Sequence, residues 1–289
     1  MRLFKKNDQI KITNDNPSSN FDEEGDAQVT ALTINKTEDV LYLITSTNQL
    51  MKVNNINLDG SEDKDLFNFQ YVHSAFHSVA ITGMDVCLRK ELIVTCSARA
   101  INIWNYKHMT LEISQKTNVN DPPQAVAFHP SGFHILVAVG DKISMMNVLS
   151  ASIKEYNSVP MKACREIKFS NGGHLFAASG QSTGIWVYNF YTAECPSNMQ
   201  CKGHTVVKGI DWFDDDSGFC SCGGDQAYFY NLQQYRDTKT RMIDSDLTVK
   251  NTVFAGIVNF PSQDGNHDNA LVVGNDKKVR LTKDQNNFG

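Results

Sequence analysis

The sequence predicts an all-β protein, a β-propeller of about six blade units, and the spacing of four asparagines is the main observation behind this prediction. Asn105, Asn147, Asn189 and Asn231 lie 42 residues apart, and each closes a short apolar run. A period near 40 residues is typical of proteins in which each repeat is one structural unit. Two more apolar segments precede each run, which indicates three short strands and a weaker fourth per repeat, as in a propeller blade.

The strands of repeats two to five follow from apolar segments in the same succession. First strands are predicted at 82–86, 125–130, 166–170 and 209–213, second strands at 92–96, 134–139, 174–179 and 219–222, and third strands at 101–105, 143–147, 185–189 and 228–231. The fourth strands are polar, as expected for strands with one face in water. This alignment places four side chains at equivalent third-strand positions: Trp104, Met146, Tyr188 and Tyr230. We expect Trp104, Tyr188 and Tyr230 to belong to the structural network of their blades.

The first and last repeats are less regular. Repeat one runs from 29 to 73 and carries an acidic insertion at 57–65, whereas repeat six reaches its third strand at 277–282 and has no outer strand of its own. We therefore expect an N-terminal strand and acidic linker at 1–28 and the propeller at 29–289. Pairing of residues 3–13 with 277–282 would close the ring and protect an open strand edge. The alternative is an incomplete ring that another chain completes.

Composition excludes several classes of function. The net charge is −5 and the pI about 5.9, so there is no basic excess for binding nucleic acid. The N-terminus has no apolar signal region, and no apolar run approaches the roughly 20 residues that span a bilayer. Seven cysteines, an odd number, without a secretion signal indicate reduced thiols in an intracellular compartment.

One repeat carries a histidine and an aspartate in positions that predict a buried structural network. His204 precedes a first strand, and Asp225 lies in the turn between the second and third strands. Buried polar groups need hydrogen-bond partners, so a structural pairing of the two is favoured over catalysis. Asp141 and Asp276 occupy the equivalent turns of repeats three and six.

Other motifs that could carry chemistry have simpler interpretations. Cys195, Cys201, His204, Cys220 and Cys222 lie near one another in sequence, but C-x-C and C-x₅-C spacings do not match a zinc site. The turns at 129–132 and 170–173 are rich in Pro, Ser, Asn and Gly because turn geometry requires those residues. The sequence contains no phosphate loop, nucleophile elbow or zinc-protease motif. We therefore expect no cofactor, no metal and no enzymatic activity.

Loops between blades are the candidate contacts with partners. Phe76 and His77 follow the last strand of repeat one, and a second such loop contains Asp121, Pro122 and Pro123. Loops on a rigid scaffold commonly carry binding residues.

Several stretches resemble WD-repeat propellers, and more specifically an axonemal WD-repeat family. The residues that carry the resemblance are 76–97, 101–106, 126–137, 141–149, 164–178 and 201–217, which include HPSGFHI and SNGGHLFAA. The similarity covers most of 29–232 and corresponds to the second propeller of that family. Its members have two propellers and a long coiled coil, so the resemblance implies a short paralogue or a fragment.

The resemblance implies a non-enzymatic scaffold on doublet microtubules of the motile cilium or flagellum. Its implied partners are inner-arm dynein, the nexin–dynein regulatory complex and a paralogous WD-repeat protein. Direct contact with tubulin is left open as a secondary interaction, because acidic tubulin tails call for a basic face. Two alternatives remain open: a soluble cytosolic WD adaptor, such as a ligase substrate receptor or trafficking scaffold, and an enzyme that uses His204 with Asp225 or a cysteine.

Overall fold

The structure is a computed structural model, and it describes most of the chain from residue 28 onwards. The described residues are 28–37, 39–46, 49–54, 69–72, 77–118, 120–181, 183–196, 199–232, 245–260, 269–283 and 287–288. Within these ranges 24 β-strands form six four-stranded sheets. No helix in the described part of the chain is long and apolar enough to cross a membrane.

Each sheet is one blade, and each takes four strands that are consecutive in sequence. Blade one contains β1 (Val29–Ile34), β2 (Val40–Thr45), β3 (Leu50–Asn54) and β4 (Phe69–Tyr71). Blade two contains β5 (Ile81–Val86), β6 (Leu92–Ser97), β7 (Ala100–Asn105) and β8 (Thr110–Lys116). Blade three contains β9 (Pro123–Phe128), β10 (His134–Val139), β11 (Lys142–Val148) and β12 (Ile153–Pro160).

The remaining three blades have the same order. Blade four contains β13 (Glu166–Phe169), β14 (Leu175–Ser179), β15 (Gly184–Asn189) and β16 (Gln200–Lys202). Blade five contains β17 (Gly209–Trp212), β18 (Gly218–Gly223), β19 (Gln226–Asn231) and β20 (Ser245–Thr248). Blade six contains β21 (Phe254–Phe260), β22 (Asn269–Gly274), β23 (Val279–Lys283) and β24 (Asn287–Phe288).

Neighbouring strands in each sheet are antiparallel, and the strands follow one another in sequence order across it. In blade three, β10 is buried along most of its length, whereas β12 is largely exposed. A middle strand is covered on both faces, whereas an outer strand keeps one face in water. The fold is therefore all-β and built from WD-repeat propeller blades, which confirms the predicted class and the six blade units.

The chain divides into two compact units, the first ending at Val79 and the second beginning at Ala80. Blades two to six belong to the second unit, where the first strands β5, β9, β13, β17 and β21 lie side by side. Four apolar clusters fill the spaces between consecutive blades of this unit. Each cluster draws residues from two blades, so blades three, four and five each contribute both of their faces to the core.

The strand register tests the prediction that four third-strand side chains occupy equivalent positions. Trp104, Met146, Tyr188 and Tyr230 each pair with the second residue of the preceding strand, and these partners are Ile93, Ile135, Phe176 and Phe219. The four side chains therefore occupy the same register position in four blades. The 42-residue period reflects this register.

The prediction that repeat six lacks an outer strand is wrong. Strand β24 pairs with β23 through Thr282 with Phe288 and Lys283 with Asn287. A strand of two residues in a polar sequence is too short to show an apolar alternation, so the pattern missed it. Residues 3–13 lie outside the described residues, as do the insertion at 57–65 and most of the predicted linker. Ring closure and the boundary between 1–28 and 29–289 therefore stay predictions.

Candidate functional site

His204 lies in a buried hydrogen-bonded network that joins blade five to the last strand of blade four. Its side chain is only 4% exposed, and its Nε2 lies 3.1 Å from the Ser221 hydroxyl. The Ser221 hydroxyl is 3.3 Å from that of Tyr230, which donates a 2.7 Å hydrogen bond to the Lys202 carbonyl. The imidazole also stacks on the Tyr228 ring, with centroids 4.1 Å apart. This network links the loop before β17 to two strands of the blade.

The predicted buried pairing of His204 with Asp225 is wrong. Asp225 is exposed in the turn after β18, whereas Ser221 points inward on that strand and is the residue that His204 meets. Burial lowers the pKa of His204 to about 4, against smaller opposing effects of Ser221 and Asp225. The ring is therefore neutral at neutral pH. Its Nδ1 is buried without a hydrogen-bond partner among the described residues.

The other predicted network residues act within their own blades. Trp104 donates a 2.8 Å hydrogen bond from its indole to Thr95 in blade two. Tyr188 stacks on Phe176 in blade four at 5.0 Å, and burial raises its pKa to about 12. The remaining two aspartates, Asp141 and Asp276, lie at the surface, where Asp276 forms an ion pair with Arg280 that lowers its pKa.

The predicted partner loops are exposed only in part. Phe76 lies outside the described residues, and His77 is half-buried, with a pKa that burial lowers. Asp121 is exposed and Pro122 is partly exposed. The prediction for Pro123 is wrong, because Pro123 begins β9 and is buried, and its carbonyl accepts a 2.8 Å hydrogen bond from the Thr82 hydroxyl.

Sequence reasoning missed an ionic layer on the first strands of the second unit, which consists of Asp85, Lys168 and Asp211. These residues hold the same register, opposite Val94, Ala177 and Cys220. Lys168 Nζ lies 2.7 Å from Asp85, reaching across blade three. The signal in the sequence was a charged residue in the middle of each of three apolar runs.

The two aspartates of the ionic layer also accept hydrogen bonds from neighbouring blades. Asp85 accepts a 2.8 Å hydrogen bond from the Phe128 amide in blade three. Asp211 accepts a 2.7 Å hydrogen bond from the Asn259 amide in blade six. Burial opposes the charge on Lys168, but Asp85 and then Asp211 outweigh it and raise the lysine pKa. The layer therefore joins blades through one ion pair and two hydrogen bonds to backbone amides.

The turns between first and second strands form a chain of contacts from blade to blade. His129 Nε2 lies 3.1 Å from the Gly173 carbonyl of blade four. The Asp216 carboxylate of blade five accepts 2.7 Å hydrogen bonds from the amides of Asn171 and Gly172. Gly132 and Gly173 have φ of 75° and 78°, which glycine adopts most readily. These turns thus have the structural role that their composition predicted.

The repeated asparagines shape the turns between third and fourth strands at the same end of the blades. The Asn105 side chain accepts hydrogen bonds of 3.1 and 3.0 Å from the amides of Lys107 and His108. Asn189 accepts bonds of 2.9 and 3.1 Å from the amides of Tyr191 and Thr192. Asparagine is favoured there because its side chain can bond to the backbone two residues ahead.

This end of blades two to four exposes a set of large apolar side chains, which we name the turn surface. Tyr191 is 73% exposed, Met109 69% and Leu88 66%. The other members of the turn surface are Tyr106, Phe133 and Leu149, which are also exposed. Exposed aromatic and methionine side chains in one region are typical of protein interfaces.

A cavity of about 480 Å³ opens at the opposite end of blades four to six. Arg165 and Lys208 contribute basic groups to its wall, beside the His204 network. No group of three or more His, Cys, Asp or Glu side chains that could hold a metal ion occurs in the ranges that the structure describes. The cavity is a second candidate for binding.

Comparisons with known proteins identify the relatives of this chain. A cilia- and flagella-associated protein 57 A from Tetrahymena thermophila is 39% identical over 211 residues, which are 71% of this chain and 16% of the relative. Cilia- and flagella-associated protein 57 from Mus musculus is 34% identical over 233 residues, 80% of this chain and 18% of the relative. No family model matches the chain.

A weaker relative is echinoderm microtubule-associated protein-like 2 from Mus musculus, which is 22% identical over 236 residues, 74% of this chain and 35% of the relative. The chain spans less than a fifth of the length of the two cilia- and flagella-associated relatives. The predicted resemblance is confirmed: over most of its length, this chain is a relative of the WD-repeat protein called cilia- and flagella-associated protein 57.

Proposed function

We propose that this chain is a non-enzymatic WD-repeat scaffold of the motile ciliary axoneme. It helps to dock or regulate inner dynein arms and the nexin–dynein regulatory complex on doublet microtubules. The names of two relatives associate those proteins with cilia and flagella. The name of a weaker relative associates that relative with microtubules. The observation that carries the proposal is the turn surface, where a rigid set of blades presents apolar side chains to a partner.

The chemistry of the nucleophilic side chains supports a scaffold and not an enzyme. Burial raises the pKa of Cys164 and Cys222 to about 12 and that of Cys195 to about 11. The thiolate is the reactive form of cysteine, so thiols with raised pKa values are poor nucleophiles. An alkylating probe that labelled one cysteine stoichiometrically at pH 7 would contradict this part of the proposal.

The main test is fractionation and cross-linking of isolated axonemes that contain the tagged protein. We expect the protein to stay with the axoneme after detergent extraction and to cross-link to subunits of inner-arm dynein or the regulatory complex. Direct cross-links to tubulin are expected to be fewer, because the chain carries a net charge of −5. Release of the protein into the detergent-soluble fraction would overturn the proposal and favour a soluble adaptor.

A further inference from the structure

We propose that the turn surface binds an acidic amphipathic segment of a partner protein. The apolar side of the segment would lie against Phe133, Tyr191 and Met109, and its carboxylates would face Arg89 and Lys90. The inference deepens the proposed scaffold function and rests on it for the setting in which the partner is met.

Contacts between blades make the turn surface continuous. Lys90 of blade two lies with its Nζ 3.4 Å from the ring centroid of Phe133 in blade three. Tyr191 contacts Phe190 in blade four, with ring centroids 5.4 Å apart. Phe190 in turn contacts His134 of blade three at 5.4 Å. Three consecutive blades therefore contribute to one surface.

The turns that carry these side chains are held in place before any partner binds. The Asn105 and Asn189 side chains bond to the amides of the turns that contain Met109 and Tyr191. The Phe133 carbonyl accepts a 2.8 Å hydrogen bond from the Val148 amide. An ordered surface loses less conformational entropy on binding, so more of the contact energy appears as affinity.

Met109 combines two features that folding alone disfavours. Its φ is 55°, in the left-handed region that side chains other than Gly, Asn and Asp rarely adopt. Its side chain is also mostly exposed, so it gains little from the core. Flexible methionine side chains are common at surfaces that bind peptides. We therefore assign Met109 to peptide binding.

The charges beside the turn surface select an acidic partner. Arg89 is exposed, Lys90 lies over Phe133, and Lys107 forms a 2.8 Å ion pair with Glu91. At the same end of blade five, Asp214 and Asp215 are exposed. The basic residues of blade two and the acidic residues of blade five lie three blades apart. We therefore expect the most acidic part of the bound segment to lie over blade two.

A binding measurement with defined peptides tests the inference on the whole 289-residue chain. The probe is a fluorescein-labelled amphipathic peptide of leucine and glutamate, compared with a leucine–lysine peptide of the same pattern. We expect the acidic peptide to bind at least ~10-fold more tightly than the basic one, and high salt to weaken it, because the charge contribution is screened. Equal binding of both peptides would overturn the inference.

Paired variants localise the binding. We expect Arg89→Glu with Phe133→Ser to weaken binding by ~10-fold or more, consistent with the loss of one aromatic and one charged contact. Met109→Gly should weaken binding without lowering the melting temperature. The matched control is Lys162→Glu with Val206→Ser at the opposite end of the blades, where both side chains are exposed. Equal weakening by the control pair would show that the turn surface is not the site.

The same variants in isolated axonemes separate this inference from the proposed function. Lys250 is exposed between β20 and β21, at the end opposite the turn surface. For the Arg89→Glu, Phe133→Ser protein we expect cross-links from Lys107 to be lost and those from Lys250 to be retained. If the Arg89→Glu, Phe133→Ser variant keeps its cross-links from Lys107 and the acidic peptide does not bind, the turn surface is not the docking site. Retention of the wild-type protein in axonemes would still support the scaffold function. A wild-type protein absent from axonemes would overturn the scaffold function, while the peptide result would still decide the chemistry of the surface.

Discussion

Two neighbouring layers on the first strands give the carboxyl groups of Asp85 and Glu166 different partners. In the ionic layer, Asp85 bonds to Lys168 and to a backbone amide. The second layer lies two residues earlier on the first strands. It consists of Gly83, Ala125, Glu166 and Gly209, which share one register position. Burial raises the pKa of Glu166 to about 7, because its neighbouring lysines, Lys168 and Lys208, compensate only partly.

The difference shows that a buried carboxyl group depends on its direct partners more than on the net charge nearby. Lys168 is near both Asp85 and Glu166, yet its 2.7 Å contact is with Asp85. Asp85 has a hydrogen-bonded cation and a backbone donor, whereas desolvation of the Glu166 carboxylate outweighs the attraction of its lysines. The two layers should therefore respond differently to mutation and to pH.

The largest effect is expected from removing the carboxylate that forms the ion pair of the ionic layer. Asp85→Ala leaves Lys168 and the Phe128 amide without their acceptor, and we expect a loss of about 2–4 kcal/mol in the free energy of unfolding. Urea denaturation monitored by tryptophan fluorescence would measure it. Asp85→Asn, which keeps an acceptor oxygen, should lose clearly less. Equal losses for both variants would mean that the hydrogen bonds are not the main contribution.

The buried His204 network lies outside both layers and is an uncharged site with which they can be compared. We expect His204→Ala to lower the free energy of unfolding by about 1–3 kcal/mol, because Ser221 loses a buried partner and Tyr228 loses a stacked ring. The loss should be nearly constant between pH 7.5 and 8.5, since His204 is neutral in the folded state and both pH values lie above the unfolded-state pKa of 6.5. Thermal melting at both pH values would measure it, and an unaltered melting curve would contradict the network.

Glu166 is expected to make the free energy of unfolding depend on pH. Its folded-state pKa is raised above the unfolded value, so the folded state holds the proton more tightly. Stability from this group is therefore complete below about pH 4.5 and is lost as pH rises through about 7. Glu166→Gln should remove that loss and be more stable than the wild type by about 1–2 kcal/mol at pH 8, with a much smaller difference at pH 5.

The difference between Glu166→Gln and the wild type isolates this carboxyl group. Burial lowers the pKa values of His129 and His204 to about 4, so their contributions rise as pH increases from about 4 to 6.5. These opposing contributions are the same in both proteins and cancel in the difference. Parallel stability curves from pH 5 to 8 would show that Glu166 has an ordinary pKa.

The smallest effect is expected at the far end of the ionic layer. Asp211 is partly buried, and desolvation raises its pKa against the bonds from Asn259 and the charge of Lys168. Asp211→Asn keeps an oxygen for the Asn259 amide and removes the desolvated charge, so we expect a change below about 1 kcal/mol. A loss as large as that of Asp85→Ala would show that the two aspartates play equal parts.

The sequence by itself determined the class of fold, because apolar periodicity and turn composition are local properties. The 42-residue spacing of the asparagines predicted the blades, and their side chains prove to bond to turn amides in blades two and four. The turns at 129–132 and 170–173 were likewise interpreted correctly as structural. Each of these features depends on residues only a few positions apart.

Only the tertiary structure decided which polar groups meet. His204 pairs with Ser221 and not Asp225, and Lys168 reaches Asp85 from 83 residues away. Such partners depend on how the blades stack and on which way each strand side chain points, and neither follows from spacing along one repeat. The turn surface belongs to the same category, because Lys90, Phe133 and Tyr191 come from three blades and form one surface only after the blades pack.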